Sequence, residues 1–508
     1  MIEAACARAG RVTVYSLFRE QARWRPDALA IECAGRCWTY GELAEAVDAV
    51  AGGLRRRGLA RGDRVAVLSE NRVEYTLLQL AAARIGAVVA CLNWRLAPGE
   101  LGHCVRLVAP KLLIASSRHT ALTAGVESPG TTNLPLDDGL VSLRGNGPDR
   151  EPPTDDPEDG LLLLYTSGTT GLPKAALISH RAEIARMTTL RLDMNIGPED
   201  AYLAWSPMFH MGGTEHTLAS LMFGASVVIT DGLDLEAIVD VIGRKRLGWL
   251  LLVPATIEPL LAKLGETGIV PRGVKVVGCM ADLVPAEVIA QITRRLNAPF
   301  LNSFGSTETG LPPATGHLIP IGETPRDLAK RQSSLCEFRI VDAEDRDVPD
   351  GEPGEGIVRG PTLFSGYWNA PEVNAREFRG GWFHMGDLFR RTAGGGFDFV
   401  GRSKYMIKSG GENIYPAEIE RVLLADPRIA DAAVVRRRDA RWGEIPVAFV
   451  ARSDESLTAA DVEALCRGQL AGYKRPREVH FLRMEELPRS TSGKILRERL
   501  EELLEGGS

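Results

Sequence analysis

At 508 residues, 44% hydrophobic and 25% charged, the chain has room for about three domain-sized units of roughly 150 residues and is no coiled coil or wholly disordered polymer. Its 53 glycines and 30 prolines fall short of collagen-like or low-complexity composition. A formal charge of −6 leaves no global basic footprint for nucleic acid.

In chain order, Met1 to Val14 has no apolar run of the signal-peptide kind. Arg64 to Leu68 reads as a strand, Val73 to Ile85 as a helix and Ala87 to Cys91 as a second strand. The apolar stretch Leu77 to Leu92 is interrupted by Gln79 and Arg84 and is too short and polar to span a bilayer. Eight cysteines (Cys6, Cys33, Cys37, Cys91, Cys104, Cys279, Cys336 and Cys466) form no CxxC pair, which predicts buried, reduced thiols in a cytoplasmic protein.

Glu151 to Gly160 is a polar, proline-rich connector, and Leu161 to Tyr165 behind it is a fully apolar strand. That strand runs into Thr166-Ser167-Gly168-Thr169-Thr170-Gly171-Leu172-Pro173-Lys174. Two glycines let backbone N–H groups approach a ligand, while four hydroxyls and one lysine add donors and positive charge, a composition suited to phosphate oxygens. The spacing is not that of a Walker A loop, and no GxGxxG follows a strand.

Val227 to Ile229, Trp249 to Val253 and Val274 to Val277 are further short apolar runs between helical patterns. The alternation predicts α/β layers with mainly parallel sheets. Thr392 to Gly396 reads as a turn and Phe397 to Val400 as a strand. After Gly401 the pattern changes to a helix at Ala417 to Leu424, strands near Ala432 to Val435 and at Val447 to Ala451, a helix at Ala459 to Leu470, a strand at Glu478 to Leu482 and a terminal helix. We therefore expect a large multi-lobed domain over residues 1–403 and a small α+β domain over 404–508, with the boundary at Arg402 to Lys404.

Tyr165 to Lys174 resembles the phosphate loop of the adenylate-forming superfamily, which contains acyl-CoA synthetases, peptide-synthetase adenylation domains and luciferases. Further segments resemble that family's motifs in the same order: Ser206 to His210, Asn302 to Glu308, Gly381 to Asp387, Gly401 to Glu420 and Pro488 to Lys494. The Gly410-Gly411-Glu412-Asn413 form points to the CoA-ligase branch.

The resemblance implies a two-step reaction. A carboxylate attacks the α-phosphate of ATP to give acyl-AMP and pyrophosphate, and a thiol then displaces AMP. It implies Lys494, His210, Glu308 and Thr307 as catalytic residues, with Glu308 also holding Mg2+. It implies ATP and AMP contacts from Thr166, Ser167, Gly168, Thr169, Thr170, Gly171, Lys174, Asn302, Ser303, Phe304, Gly305, Asp387, Phe399 and Arg402. Among these, Asp387 would accept the ribose hydroxyls and Phe304 would stack on adenine. Lys404 would be the hinge of a mobile lid, and Ser409, Gly410, Gly411 and Glu412 would border CoA. The partners implied are a carboxylic acid, ATP and CoA, with no nucleic acid and no membrane span; a homodimer is compatible with this.

Asn93-Trp94-Arg95-Leu96 followed by Pro98 resembles a segment of fatty-acyl ligases and tilts the expected acid toward a medium- or long-chain fatty acid. An aryl acid, or a carrier-protein thiol as acceptor, is the alternative. Departures from the family pattern flank the acid site: Gly278 to Asp282, Glu215 and His216, and the polar stretch Leu311 to Ser334. Tyr405 stands where the family often has Asp.

Overall fold

A computed structural model describes residues 2–126, 128–144, 147–166, 172–410, 412–489 and 493–506. Strands Arg64–Leu68, Val88–Cys91, Leu112–Ala115 and Thr132–Pro135 run parallel to one another and to Gly160–Thr166, and Lys174–Ser179 returns antiparallel to close this six-stranded sheet. Apart from the exposed edge strand Thr132–Pro135, these strands are nearly continuous apolar runs because both faces of the sheet are covered. Val65 and Val67 point into one hydrophobic cluster while Ala66 and Leu68 point into another. The helix Val73–Ile85 is buried on every side, which explains why its sequence is apolar without an amphipathic stripe.

Two smaller sheets built around Leu29–Cys33, Val227–Ile229 and Tyr202–Ala204, and around Leu247–Leu250, Val274–Val277 and Phe300–Leu301, are also largely parallel. Beyond them the expectation of parallel pairing fails. Glu337–Val341, Pro353–Arg359, Phe383–Arg391 and Phe397–Arg402 form an antiparallel sheet. Neighbouring strands there are joined by short connections such as Thr392 to Gly396, and a hairpin needs no crossover helix.

The last of these strands ends at Arg402, a 3₁₀ turn spans Ser403–Tyr405, and Ile407–Ser409 opens a different sheet. That sheet contains Ile429–Asp439, Gly443–Arg452 and Glu478–Leu482 and has a hydrophobic cluster on each face. Ala432 and Val434 fill one cluster and Ala433 and Val435 the other.

All eight cysteines are free thiols, but only Cys91, Cys104, Cys336 and Cys466 are buried. Cys6 and Cys37 are exposed, which corrects the expectation of uniform burial; Cys37 lies on the edge strand Arg36–Thr39, whose first two residues are exposed. No helix among the described residues is long and apolar enough to cross a membrane.

Candidate active site

Antiparallel pairing sets Thr166 opposite Lys174, which brings together the two flanks of the segment expected to cradle phosphate. The expected phosphate contacts Ser167, Gly168, Thr169, Thr170 and Gly171 lie outside the described residues, as does Gly411. Lys174 itself is placed: its Nζ sits 3.7 Å from the ring centre of Tyr367 and 3.7 Å from Glu377 Oε1. Tyr367 reaches this position because residues 365–368 add to the edge of the six-stranded sheet, with Leu177 N donating to Gly366 O and Trp368 N to Ala175 O.

The Tyr367 hydroxyl donates to Glu308 Oε1 at 2.7 Å. Burial, reinforced by the Glu308 charge, pushes the phenol well above its ordinary pKa, so it stays a proton donor. Glu308 and Thr307 lie in the tight turn between Phe304–Ser306 and Gly310–Ala314. Gly305 is required there, because a Cβ would come within 2.0 Å of the Gly310 carbonyl. The Glu308 carbonyl accepts from Phe364 N at 2.9 Å and from Arg186 Nη2 at 2.8 Å, and the Thr307 carbonyl accepts from the same nitrogen at 3.1 Å.

Two neighbours in this motif are buried. Asn302 is wholly buried, donates to the Leu328 carbonyl and accepts from Lys330 Nζ at 2.9 Å; Lys330 in turn pairs with Asp282. Its side chain thus braces the motif against that interior ion pair. Ser303 is 2% exposed. Phe304 retains 6% exposure, with its ring stacked on Phe399 at 4.8 Å and edge-on to Phe389 at 4.9 Å. Phe304 and Phe399 therefore form one aromatic wall in place of a single free adenine platform.

Asp387 lies on the strand Phe383–Arg391 directly across from Arg402. Arg402 Nε approaches Asp387 Oδ1 to 2.9 Å, but neither carboxylate oxygen has an aligned hydrogen-bond donor among the described residues. Burial raises the Asp387 carboxyl from its ordinary 3.8 to about 6, against the lowering effect of Arg402 and Lys494. Glu355 shapes the bend beside it, accepting from Gly386 N at 3.0 Å and contacting His384 Nδ1 at 3.0 Å; Gly386 has φ +69°.

Lys494 comes from the small domain into this same cleft. Its charge acts on His210 and Asp387, and it responds to Arg402 and Glu308. Both Lys494 and His210 keep water-accessible surface yet sit deep among protein atoms, as groups lining an open cleft do. That desolvation lowers the Lys494 pKa and pulls His210 down to about 4. His210 caps the helix Met211–Met222, with Nδ1 accepting from Gly212 N at 3.3 Å. A neutral ring accepting at Nδ1 carries its proton on Nε2. The helix can begin there only because Gly213 lacks a Cβ, which would lie 2.4 Å from the Ser206 and Pro207 carbonyls.

The expected hinge and CoA residues occupy the domain junction. Lys404 Nζ and the Tyr405 hydroxyl both meet Glu498 Oε1 at 3.0 Å, and Arg497 lies over the Tyr405 ring. Ser409 and Glu412 face each other in a hairpin; Ser409 is buried and Glu412 exposed. Gly410 has φ +60°, and a Cβ there would be 2.7 Å from the Trp442 ring.

No group of three or more His, Cys, Asp or Glu side chains forms a metal cage among the described residues. The single Glu308 carboxylate, with one oxygen fixed by Tyr367, instead suits a magnesium ion held mainly by substrate phosphates and water. Arg186, Tyr367 and Glu355 escaped the sequence reading, because each bonds a residue of a site motif between 29 and 122 positions away.

The model of the AMP-binding enzyme family matches residues 18–368, and that of the AMP-binding enzyme C-terminal domain matches residues 418–494. An indoleacetate–CoA ligase from Aromatoleum aromaticum is 35% identical over 494 residues, covering 94% of this chain and 96% of that protein. A feruloyl-CoA synthase from an Amycolatopsis species is 33% identical over 490 residues, with coverage of 94% and 96%. The o-succinylbenzoate CoA synthetase of Bacillus subtilis, solved with its acyl-adenylate intermediate, superposes with a TM-score of 0.84 at 25% identity, covering 97% of this chain and 98% of that one.

Proposed function

This chain belongs to the family of AMP-binding enzymes and is an AMP-forming acid–CoA ligase, and from that premise we propose that the acid it activates is aromatic. The relatives named for indoleacetate, ferulate and succinylbenzoate support this over the fatty acid suggested by Asn93 to Pro98.

The observation that carries the assignment of roles is the pair of Asp387 oxygens, buried without aligned donors beside Arg402 and within reach of the Lys494 charge. Two orphaned acceptors side by side are matched to a ribose diol, since a buried carboxylate without donors is otherwise costly. Lys494 is then positioned to neutralise charge where the acid oxygen attacks the α-phosphate. The His210 Nε2–H faces the same space as a neutral donor for the substrate carboxylate. Glu308 would hold magnesium, which when bound offsets the charge of the phosphates. The small domain would pivot near Lys404, at a boundary we place between residues 403 and 404, so that the Ser409–Glu412 hairpin can replace Lys494 at the cleft for thioester formation.

The test is pyrophosphate release with ATP, magnesium and a panel of aromatic and aliphatic acids, with and without CoA. Selective release with aromatic acids and thioester formation on CoA supports the proposal. Preference for aliphatic acids overturns it, and release without CoA thioester points to a carrier thiol as acceptor.

A further inference from the structure

Arg186 is the largest wholly buried side chain among the described residues, and it lies on the helix His180–Met194 with no predicted function. Nη2 donates to the carbonyls of Thr307 and Glu308, Nε donates to the Thr362 carbonyl at 2.7 Å, and Nη1 donates to Glu215 Oε1 at 2.5 Å. Neither Arg186 nor Glu215 has exposed side-chain surface. Only a guanidinium presents enough donors in a fixed plane to engage all four acceptors.

We propose that Arg186 is a positioning residue for adenylation, fixing the backbone of Thr307 and Glu308 and tying it through Glu215 to the helix that begins at His210. The inference rests on the reading of Glu308 as the magnesium and phosphate end of the site.

Three observations favour this over a simple interior brace. The bonds go to the backbone of the two residues whose side chains are assigned to ligand. The third acceptor, Thr362, belongs to the same segment as Phe364, whose N–H also bonds the Glu308 carbonyl, and Tyr367, whose hydroxyl bonds its carboxylate. Glu308 is thus held from both ends by one connected set of contacts. Finally, Gly310, just after the motif, has φ +78°, and a Cβ there would lie 2.7 Å from Arg186 Cδ, so the hairpin is shaped around the arginine stem.

Glu183 packs into the same interior with neither carboxylate oxygen hydrogen-bonded among the described residues, and burial raises both Glu183 and Glu215. The single guanidinium pairs with Glu215. A buried pair of this kind gains little net stability over apolar residues of equal volume, which leaves room for a role in geometry.

The test uses the full chain with Arg186→Met/Glu215→Met, which removes both charges together and should fold. Binding of Mn2+ in the presence of a non-hydrolysable ATP analogue is read by electron paramagnetic resonance. Acyl-AMP formation and CoA transfer from preformed acyl-AMP are measured separately. Mn2+ affinity should fall about tenfold or more and acyl-AMP formation about 100-fold, while CoA transfer stays close to wild type. Wild-type Mn2+ binding with wild-type adenylation overturns the proposal, as does an equal loss of both half-reactions, which marks a brace of the whole fold. If the double variant does not fold, Arg186→Lys keeps the charge beside Glu215 but cannot span the three carbonyls; it should show the same split, and its absence overturns the proposal. Failure of the wild type to release pyrophosphate with any acid would refute the ligase reading instead, and the Mn2+ measurement still reads the Arg186 contact.

Discussion

The hydroxyl of Tyr367 donates to Glu308 Oε1 at 2.7 Å while Lys174 Nζ lies 3.7 Å from the centre of the same ring. One phenol thus joins the end of the phosphate-loop hairpin to the carboxylate assigned to magnesium. The face of the ring attracts the ammonium and its edge carries the donor, so the two opposite charges are held apart on one rigid group.

Replacing Tyr367 by Phe keeps the cation–ring contact and removes only the hydrogen bond. A bond to a charged acceptor contributes about 1.5–3 kcal/mol, so adenylation should slow by about tenfold to 100-fold. Glu308 is only partly buried and water can replace the lost donor, so the melting temperature should hardly move. Stopped-flow pyrophosphate release together with a thermal melt checks both halves; a large drop in stability with unchanged rate would contradict the assignment.

For Asp387, the sign of the pH effect follows from its raised pKa. The folded carboxyl holds its proton up to about 6 and the unfolded one only to about 3.8, so the folded state binds more protons in between. Stability of the ATP-free protein should fall as pH rises through that window and level off above it, by an amount on the order of 3 kcal/mol. Asp387→Asn should remove this slope and raise the KM for ATP, because it replaces one of the two accepting oxygens by an NH2 donor facing a hydroxyl. Urea titrations of both proteins at pH 4.5 and 7 measure the difference; identical slopes would contradict the account.

His210 has two separable duties, helix capping through Nδ1 and donation through Nε2. Asparagine is a good N-cap but too short to reach the substrate, so His210→Asn should melt near wild type while acyl-AMP formation drops. His210→Ala should also lose about 1 kcal/mol of stability. Because burial pulls the His210 pKa down to about 4, the wild-type rate of acyl-AMP formation should show no His210 titration between pH 6 and 8. Parallel rate and melting measurements over that range decide it.

The residues that gather at the candidate site were legible because their motifs are local and ordered. His210, Glu308, the Asp387–Arg402 pair and Lys494 come from separate stretches of the sequence, yet the structure brings them close enough for their charges to act on one another. What was not legible depends on long-range burial. Asn302 carries a family position, but Lys330 and Asp282 claim its side chain through an interior ion pair that no local pattern reveals. Arg186 and Glu215 look like unremarkable helix charges until packing withdraws both from water. The antiparallel sheet between Glu337 and Arg402 was missed for a related reason: short apolar runs read alike in parallel and antiparallel sheets, and only the hairpin connections distinguish them.

The most direct measurement separates the two half-reactions of Lys494→Ala. The account predicts that acyl-AMP formation from an aromatic acid and ATP is lost, while CoA thioester formation from the preformed acyl-adenylate continues near the wild-type rate. Adenylation at wild-type speed, or equal loss of both steps, would contradict it.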